Sequence, residues 1–213
     1  MAKIALIGAT GFVGTEILKE ALSRGHSVTV LVRHPEKVEK ATNVMAEKAD
    51  VFDTQALAKQ IAGHDLVISA FNPGWEDSNI RENHIKGSRS INEAAKQAGV
   101  KRVIVVGGAG SLLVDGQQLV DSPDFPADWK EGALGARQAL EELRKKDELD
   151  WTFVSPAIML QSGERTGKYR LGTDEPVFDD NGESTISAAD LAVAILDEAE
   201  QNKHIRARFT AAY

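Results

Sequence analysis

The stretch Gly8-Ala9-Thr10-Gly11-Phe12-Val13-Gly14 decides the fold of this chain. It follows a short apolar run at residues 3–7 and precedes residues 12–24, where apolar side chains recur at helical spacing. The first glycine permits a tight turn, the second lets a phosphate approach the backbone, and the third lets the helix pack on the sheet. The helix start then offers free N–H groups to an anion. The stretch predicts a dinucleotide-binding βαβ unit.

Outward from this turn, apolar strands and amphipathic helices alternate along the chain. Further strands are predicted at residues 27–32, 43–47, 65–69, 102–106, 151–154 and 206–210, and helices at 54–62, 80–98, 127–146 and 188–199. Such alternation indicates an α/β fold with a Rossmann-type, doubly wound parallel sheet. No repeat or linker interrupts the pattern, so residues 1–213 are predicted to form a single domain. A less regular region, about residues 157–187, is expected on the substrate side.

Three local patterns add detail to the second half of the chain. The sequence Asp180-Asn181-Gly182 between extended runs predicts a β-hairpin. Ser187 and Asp190 stand three residues apart before an apolar helical stretch, which is close to a capping box. Residues 107–125 are rich in Gly, Ser, Asp and Pro and are expected to form a long loop.

Composition excludes several classes of protein. The 213 residues carry a net charge of −7, which argues against nucleic-acid binding by bulk electrostatics. Cysteine is absent, which excludes disulfides, thiolate catalysis and iron–sulfur clusters and suits a reducing cytoplasm. No apolar run approaches the roughly 20 residues that span a bilayer. The five histidines show no paired ligand spacing, so no metal is predicted.

Residues at predicted strand ends identify the cofactor. An acidic residue after the second strand binds the adenine ribose, whereas an arginine there accommodates a 2′-phosphate. This chain has Arg33, which predicts NADP(H), although a solvated surface arginine is the alternative. Asp50 and Val51 are expected near the adenine, and Ala70 and Phe71 along the cofactor, unless they only pack the strand ends. The predicted contacts of the glycine turn are Gly8, Thr10, Gly11, Phe12, Val13 and Gly14.

Several motifs together resemble a known family. They are the glycine turn, Asp50-Val51-Phe52-Asp53, Asn83-x-x-x-Gly87-Ser88, Gly107-Gly108-Ala109-Gly110-Ser111 and Trp151-Thr152-Phe153-Val154-Ser155-Pro156-Ala157. With them the chain resembles the short-chain dehydrogenase/reductase superfamily over nearly its whole length. More narrowly, it is similar to the atypical branch of NAD(P)H-binding, NmrA-like and biliverdin reductase B (flavin reductase)-like proteins. The resemblance implies that Ser155 and Pro156 lie against the cofactor.

One departure from the superfamily limits the chemistry. Standard members carry Tyr-x-x-x-Lys at the start of the helix before the sixth strand, and this helix contains no tyrosine. Gly132 and Ala136 stand where the pair is expected. The resemblance therefore implies an NADPH-dependent reductase of a flavin, quinone or linear tetrapyrrole, which can take its proton from solvent. A redox sensor of the NmrA type with little turnover is the alternative, and a nucleotide-sugar epimerase is disfavoured.

Few residues are candidates for the acceptor pocket. Ser111 falls where the superfamily's serine stands, so the resemblance implies a catalytic role, although Ala109 is the equivalent if the alignment slips by two. The alternative is that Ser111 is a loop residue that caps local backbone. Trp129 could stack on a planar ring or simply pack. Residues 107–125 and 157–172 are expected to wall the pocket, and the second segment offers Arg165, Lys168 and Tyr169 to an anionic acceptor. The charged helix at 127–146 favours a monomer or a weak homodimer.

Overall fold

A computed structural model describes all residues from 1 to 213, with a sheet of eight strands at its centre. From the N-terminus, the helices and strands up to the fifth strand are β1 (Lys3–Ile7), α1 (Phe12–Ser23), β2 (Ser27–Val32), β3 (Val44–Lys48), α2 (Thr54–Ile61), β4 (Leu66–Ser69), α3 (Ile80–Gln97) and β5 (Arg102–Val106). The remaining elements are β6 (Leu113–Val114), β7 (Gln117–Gln118), α4 (Ala127–Leu143), β8 (Asp150–Pro156), β9 (Met159–Gln161), β10 (Arg170–Gly172), β11 (Thr185–Ser187), α5 (Ala188–Gln201) and β12 (Ala207–Ala212).

The order of strands in the main sheet is β10-β12-β8-β5-β4-β1-β2-β3. All neighbouring pairs are parallel except β10 and β12, which are antiparallel. The chain runs outward from β1 to β3 on one side and from β4 to β12 on the other. The direction of winding therefore reverses between β1 and β4, as a doubly wound sheet requires. This arrangement confirms the predicted fold class.

Apolar side chains fill both faces of the sheet because the parallel strands are buried on both sides. Helices α1 and α5 pack together over one face, where Leu6, Val154 and Phe209 belong to one buried cluster. Helices α2, α3 and α4 cover the other face, where Ile7 and Phe153 belong to a second cluster. None of the five α-helices combines the length and the hydropathy that a membrane-spanning segment needs.

The predicted hairpin at Asp180-Asn181-Gly182 is wrong. The Asp179 N–H does donate to the Glu183 carbonyl across the turn, at 2.9 Å, but no strands flank it. Instead, β11 pairs in parallel with β9, through Ile186 opposite Leu160. The turn is closed by the Asp179 carboxylate, which accepts from the N–H groups of Asn181 and Glu183. A local turn sequence therefore identified the bend but not the partner of the following strand.

A hairpin forms instead in the segment expected to be a loop, residues 107–125. Strands β6 and β7 are antiparallel and are joined by Asp115 and Gly116, whose φ angles are 52° and 79°. Positive φ at both central residues is the geometry that favours Asp-Gly in two-residue hairpins. A short helical turn, Leu119–Asp121, follows β7.

One of the two hydrogen bonds of the predicted capping box is present at the start of α5. The Ser187 hydroxyl accepts from the Asp190 N–H at 2.9 Å, and α5 begins at the next residue. The Asp190 carboxylate does not reach back to Ser187. It accepts from Thr166, Gly167 and Tyr213, and these bonds tie α5 to a preceding loop and to the C-terminus.

Candidate cofactor and acceptor site

The glycine turn is shaped by close contacts between main-chain atoms. Gly8 has φ of +81°, and an added Cβ there would lie 2.5 Å from the Ala70 carbonyl oxygen. An added Cβ at Gly14 would lie 2.7 Å from the carbonyl carbon of Gly8. A side chain at either position would therefore displace backbone, so both must be glycine. These contacts join the glycine turn to the end of β4.

The start of α1 has hydrogen-bond donors without acceptors. The N–H groups of Phe12, Val13 and Gly14 donate to no protein atom, no side chain caps the helix, and its first turn contains no acidic residue. The Thr15 hydroxyl braces the turn by donating to the Gly11 carbonyl at 2.8 Å. Unpaired N–H groups at the positive end of a helix dipole fit a phosphate group. The residues present therefore fit a dinucleotide.

The position of this turn in the sheet divides the site into two halves. In a doubly wound sheet, a ligand lies outside the carboxyl ends of the strands, across the point where winding reverses. Here that point is between β1 and β4, beside Gly8. The loops after β2 and β3 form one half of the crevice, and the loops after β4, β5 and β8 form the other.

The first half contains the residues predicted for adenosine. Arg33 follows β2, is exposed, and makes no hydrogen bond or ion pair within the protein. The Asp50 carboxylate accepts from the Phe52 N–H at 2.9 Å, which fixes the turn after β3, and Val51 is half-buried in that turn. The structure thus places Arg33, Asp50 and Val51 after the ends of adjacent strands, and their contact with the cofactor stays a prediction.

In the second half, Phe71 lies at the end of β4 between several side chains. Its ring is 6.2 Å from that of Phe52 and 6.1 Å from that of His84, measured between centroids. Gly87 in α3 leaves room for the ring, because a Cβ there would overlap it. His84 is 6% exposed, and burial lowers its pKa to about 4. Its Nδ1 atom has no hydrogen-bond partner.

Ser111 lies at the end of a short helical turn, Ala109–Ser111, and is 4% exposed. Its hydroxyl and its carbonyl both accept from Nη1 of Arg208, at 2.9 and 3.0 Å. Arg208 is itself buried and also donates to Asp174. A hydroxyl has two acceptor lone pairs and one donor proton, and arginine uses only an acceptor position. The Ser111 proton therefore has no acceptor in the protein. Sequence reasoning missed Arg208, which is the one charged residue of the buried strand β12.

Ser155 and Pro156 are more enclosed than their predicted role suggests. Both lie in β8, opposite Thr210 and Ala211 of β12, and both are buried. The Ser155 hydroxyl has no hydrogen-bond partner. Their contact with a cofactor stays a prediction.

Helix α4 contains no tyrosine. Gly132 and Ala136 are buried on this helix, and an added Cβ at Gly132 would lie 2.7 Å from the indole of Trp75. The tyrosines lie elsewhere. Tyr169 donates to Asp197, and Tyr213 donates to Asp190 at 2.8 Å.

The expected anion-binding side chains at residues 157–172 are mostly engaged elsewhere. Arg165 makes a bidentate pair with Glu20, at 2.6 and 2.9 Å, in the half of α1 remote from the glycine turn. This bond lowers the pKa of the Glu20 carboxyl. Burial and the Asp197 hydrogen bond raise the pKa of Tyr169 above its ordinary value. Lys168 is exposed. Arg165 and Tyr169 therefore hold this segment against α1 and α5. No group of three or more His, Asp or Glu residues is placed to hold a metal ion.

Comparisons with known proteins agree with this geometry. The NAD(P)H-binding family matches the chain over residues 8–202. This chain belongs to that family. The Bacillus subtilis protein YwnB is 42% identical over 214 aligned positions, which cover 98% of this chain and 97% of YwnB. Cinnamoyl-CoA reductase 1 of Petunia hybrida is 27% identical over 73% of this chain and only 54% of the reductase.

Solved structures of similar proteins superpose closely on the chain. A Bacteroides thetaiotaomicron protein provisionally named an epimerase has a TM-score of 0.93 and 44% identity, over 100% of this chain and 97% of its own. A Streptococcus pneumoniae protein provisionally named an NADH-flavin reductase has a TM-score of 0.88 and 37% identity, over 100% and 99%. These similar structures therefore share one fold although their activity names differ.

Proposed function

We propose that the protein is an NADPH-dependent reductase of a flavin, quinone or related conjugated acceptor. The observation that carries this proposal is the glycine turn, where Phe12, Val13 and Gly14 present unpaired N–H groups at the reversal point of the sheet. The reductase names of the Streptococcus pneumoniae and Petunia hybrida relatives support an NAD(P)H-dependent reductase.

The choice of acceptor follows from what α4 lacks. With Gly132 and Ala136 in place of a tyrosine and a lysine, no phenol is positioned to protonate a carbonyl oxygen. When bound, NADPH supplies a hydride that reduces the acceptor by two electrons, and solvent supplies the accompanying proton. Flavins and quinones accept electrons in this way without a positioned acid.

Each half of the crevice has a proposed task. The N–H groups of the glycine turn hold the pyrophosphate, and Arg33 pairs with the 2′-phosphate, which selects NADP(H) over NAD(H). The free proton of Ser111 donates to the acceptor or to the cofactor amide. Residues 157–187 border the acceptor side. We also propose that the protein works as a monomer or weak homodimer in the cytoplasm, in keeping with a cysteine-free chain.

The test is an assay of NADPH oxidation with purified protein and a panel of FMN, riboflavin and quinones, followed by the absorbance of reduced nicotinamide. Saturable turnover with at least one acceptor is expected, and replacing Gly11 by a bulky residue should abolish it. Turnover that persists in the Gly11 variant would contradict the assignment of this site.

One alternative is compatible with the same observation. The lack of a tyrosine on α4 also suits a protein that binds NADP(H) and reports its redox state to a partner. Tight NADPH binding without turnover on every acceptor in the panel would favour this sensor over the reductase.

A further inference from the structure

Six of the eleven large exposed apolar side chains lie at one edge of the sheet. They are Phe12 after β1, Phe52 after β3, Trp75 after β4, Trp129 in the first turn of α4, and Ile158 and Met159 after β8. A large exposed apolar side chain is unremarkable alone, but a group on one edge marks a binding surface. The tryptophans lie in the half of the crevice opposite Arg33.

Trp75 is held in place although it is exposed. Its indole is 59% accessible, yet its six-membered ring rests on the backbone of α4 at Gly132. An added Cβ at Gly132 would lie 2.7 Å from Cζ3 and 3.1 Å from Cη2 of Trp75, and 3.2 Å from Cδ1 of Ile80. The absence of a side chain at 132 therefore creates the seat for the indole. An aromatic ring seated in this way loses little conformational entropy when a ligand stacks on it.

Trp129 extends the same surface. It precedes Gly132 by three residues in α4, so the two positions lie on one face of the helix. Its side chain is 52% accessible. The third tryptophan of the chain, Trp151, is 3% exposed and belongs to the core. Trp75 and Trp129 are thus distinguished from it by position as well as by exposure.

We propose that Trp75, seated on Gly132, and Trp129 form a stacking platform for the planar ring of the electron acceptor. This inference rests on the proposed reductase function, and it assigns the residues that recognise the acceptor. Aromatic faces bind conjugated rings without demanding a hydrogen-bond pattern. The platform therefore selects flat, polycyclic acceptors, with the isoalloxazine ring of a flavin as the best match to two indoles.

The test measures binding separately from turnover. The Kd of FMN for protein saturated with NADP+ is measured by flavin fluorescence, and riboflavin and menadione are tested by competition. In W75A the Kd of FMN should rise roughly tenfold, and W75F should recover most of the affinity because a ring remains. G132A should also weaken FMN binding, since its Cβ displaces the seated indole. The Kd of NADPH should stay unchanged in all three variants.

The outcomes separate the two proposals. Wild-type turnover with an unchanged Kd and KM for FMN in W75A and W129A overturns the platform and leaves the reductase intact. Ternary FMN binding that depends on Trp75, without any turnover, supports the platform and overturns the reductase. If FMN, riboflavin and menadione all fail to bind the wild type, the platform is overturned. A change of oligomeric state in W75A with unaltered FMN binding assigns the surface to a second copy and also overturns it.

Discussion

The two halves of the crevice differ in the atoms that form them. At the glycine turn, the site consists of main-chain N–H groups, held by contacts among Gly8, Gly14 and Ala70 that leave no room for side chains. At the proposed acceptor end, it consists of side chains positioned by other elements: the Trp75 indole lies against Gly132 of α4, and the Ser111 hydroxyl accepts from Arg208. A backbone site is determined by consecutive residues, whereas the side-chain site depends on which elements the fold brings together.

The largest effect is expected from Gly14→Ala, because its Cβ would overlap the carbonyl group of Gly8. We expect NADPH binding to be lost and the free energy of unfolding to fall by about 3 kcal/mol. Urea denaturation and NADPH titration check both effects. The matched control is Gly11→Ala, where φ is −85° and the added Cβ would lie 3.3 Å from the Gly8 oxygen. It should cost less than about 1 kcal/mol in stability but weaken NADPH binding. Wild-type stability in Gly14→Ala would contradict the steric argument.

The next largest effect is expected at His84, in the second half of the crevice, and concerns the pH dependence of stability. Its pKa is lowered from 6.5 to about 4 by burial, so the unfolded chain binds a proton more readily than the folded one. Its contribution to stability is therefore complete above pH 6.5 and is lost as the pH falls towards 4, by about 3 kcal/mol. Denaturation at several pH values should show a flatter profile in His84→Leu. The exposed His34, changed to Asn, serves as the control. A profile unchanged in His84→Leu would show that other groups cause the acid loss.

The difference between a site formed by main-chain atoms and a site formed by side chains also explains which features the sequence could predict. The bounds of β2 and β5 agree with the prediction to the residue, because a buried strand ending at a glycine or a charged residue is defined by its own composition. The glycine turn was predictable for the same reason. Neither hairpin assignment was correct. A loop was predicted where Asp115-Gly116 joins a hairpin, and a hairpin was predicted at Asp180-Asn181-Gly182, where none forms. In the second case β11 pairs with β9 from an earlier part of the chain, and no local pattern encodes that partner.

The acceptor side was less predictable because its residues act through tertiary contacts. Trp75 becomes notable only when α4 places Gly132 beneath it. Arg165 resembles a free cation in the sequence, but the fold pairs it with Glu20, which is 145 positions away. Arg208 is equally uninformative until Ser111 and Asp174 surround it. Charged and aromatic residues in loops could be listed from the sequence, but their partners could not.

Cofactor selectivity gives a smaller effect in the first half of the crevice. Arg33→Asp should weaken NADPH binding 10- to 100-fold and leave NADH binding nearly unchanged, because only NADPH carries the 2′-phosphate. Isothermal titration with both cofactors measures the ratio. Lys37→Asp makes the same charge change at the end of the short helical turn Pro35–Lys37, and it should alter the ratio of NADPH to NADH affinity far less. Equal losses for NADPH and NADH in Arg33→Asp would refute the NADP(H) assignment.

The smallest effect compares two buried serines at the acceptor end. Ser111→Ala removes one acceptor of Arg208 and the proposed donor to the ligand, so kcat should fall two- to tenfold and stability by about 1 kcal/mol. Ser155→Ala removes a buried hydroxyl without a partner, so it should leave stability unchanged or slightly higher. Steady-state kinetics and thermal denaturation of the two variants separate the roles. If Ser111→Ala loses stability but keeps full kcat, the hydroxyl serves only to hold Arg208, and the acceptor end acts through its aromatic surface alone.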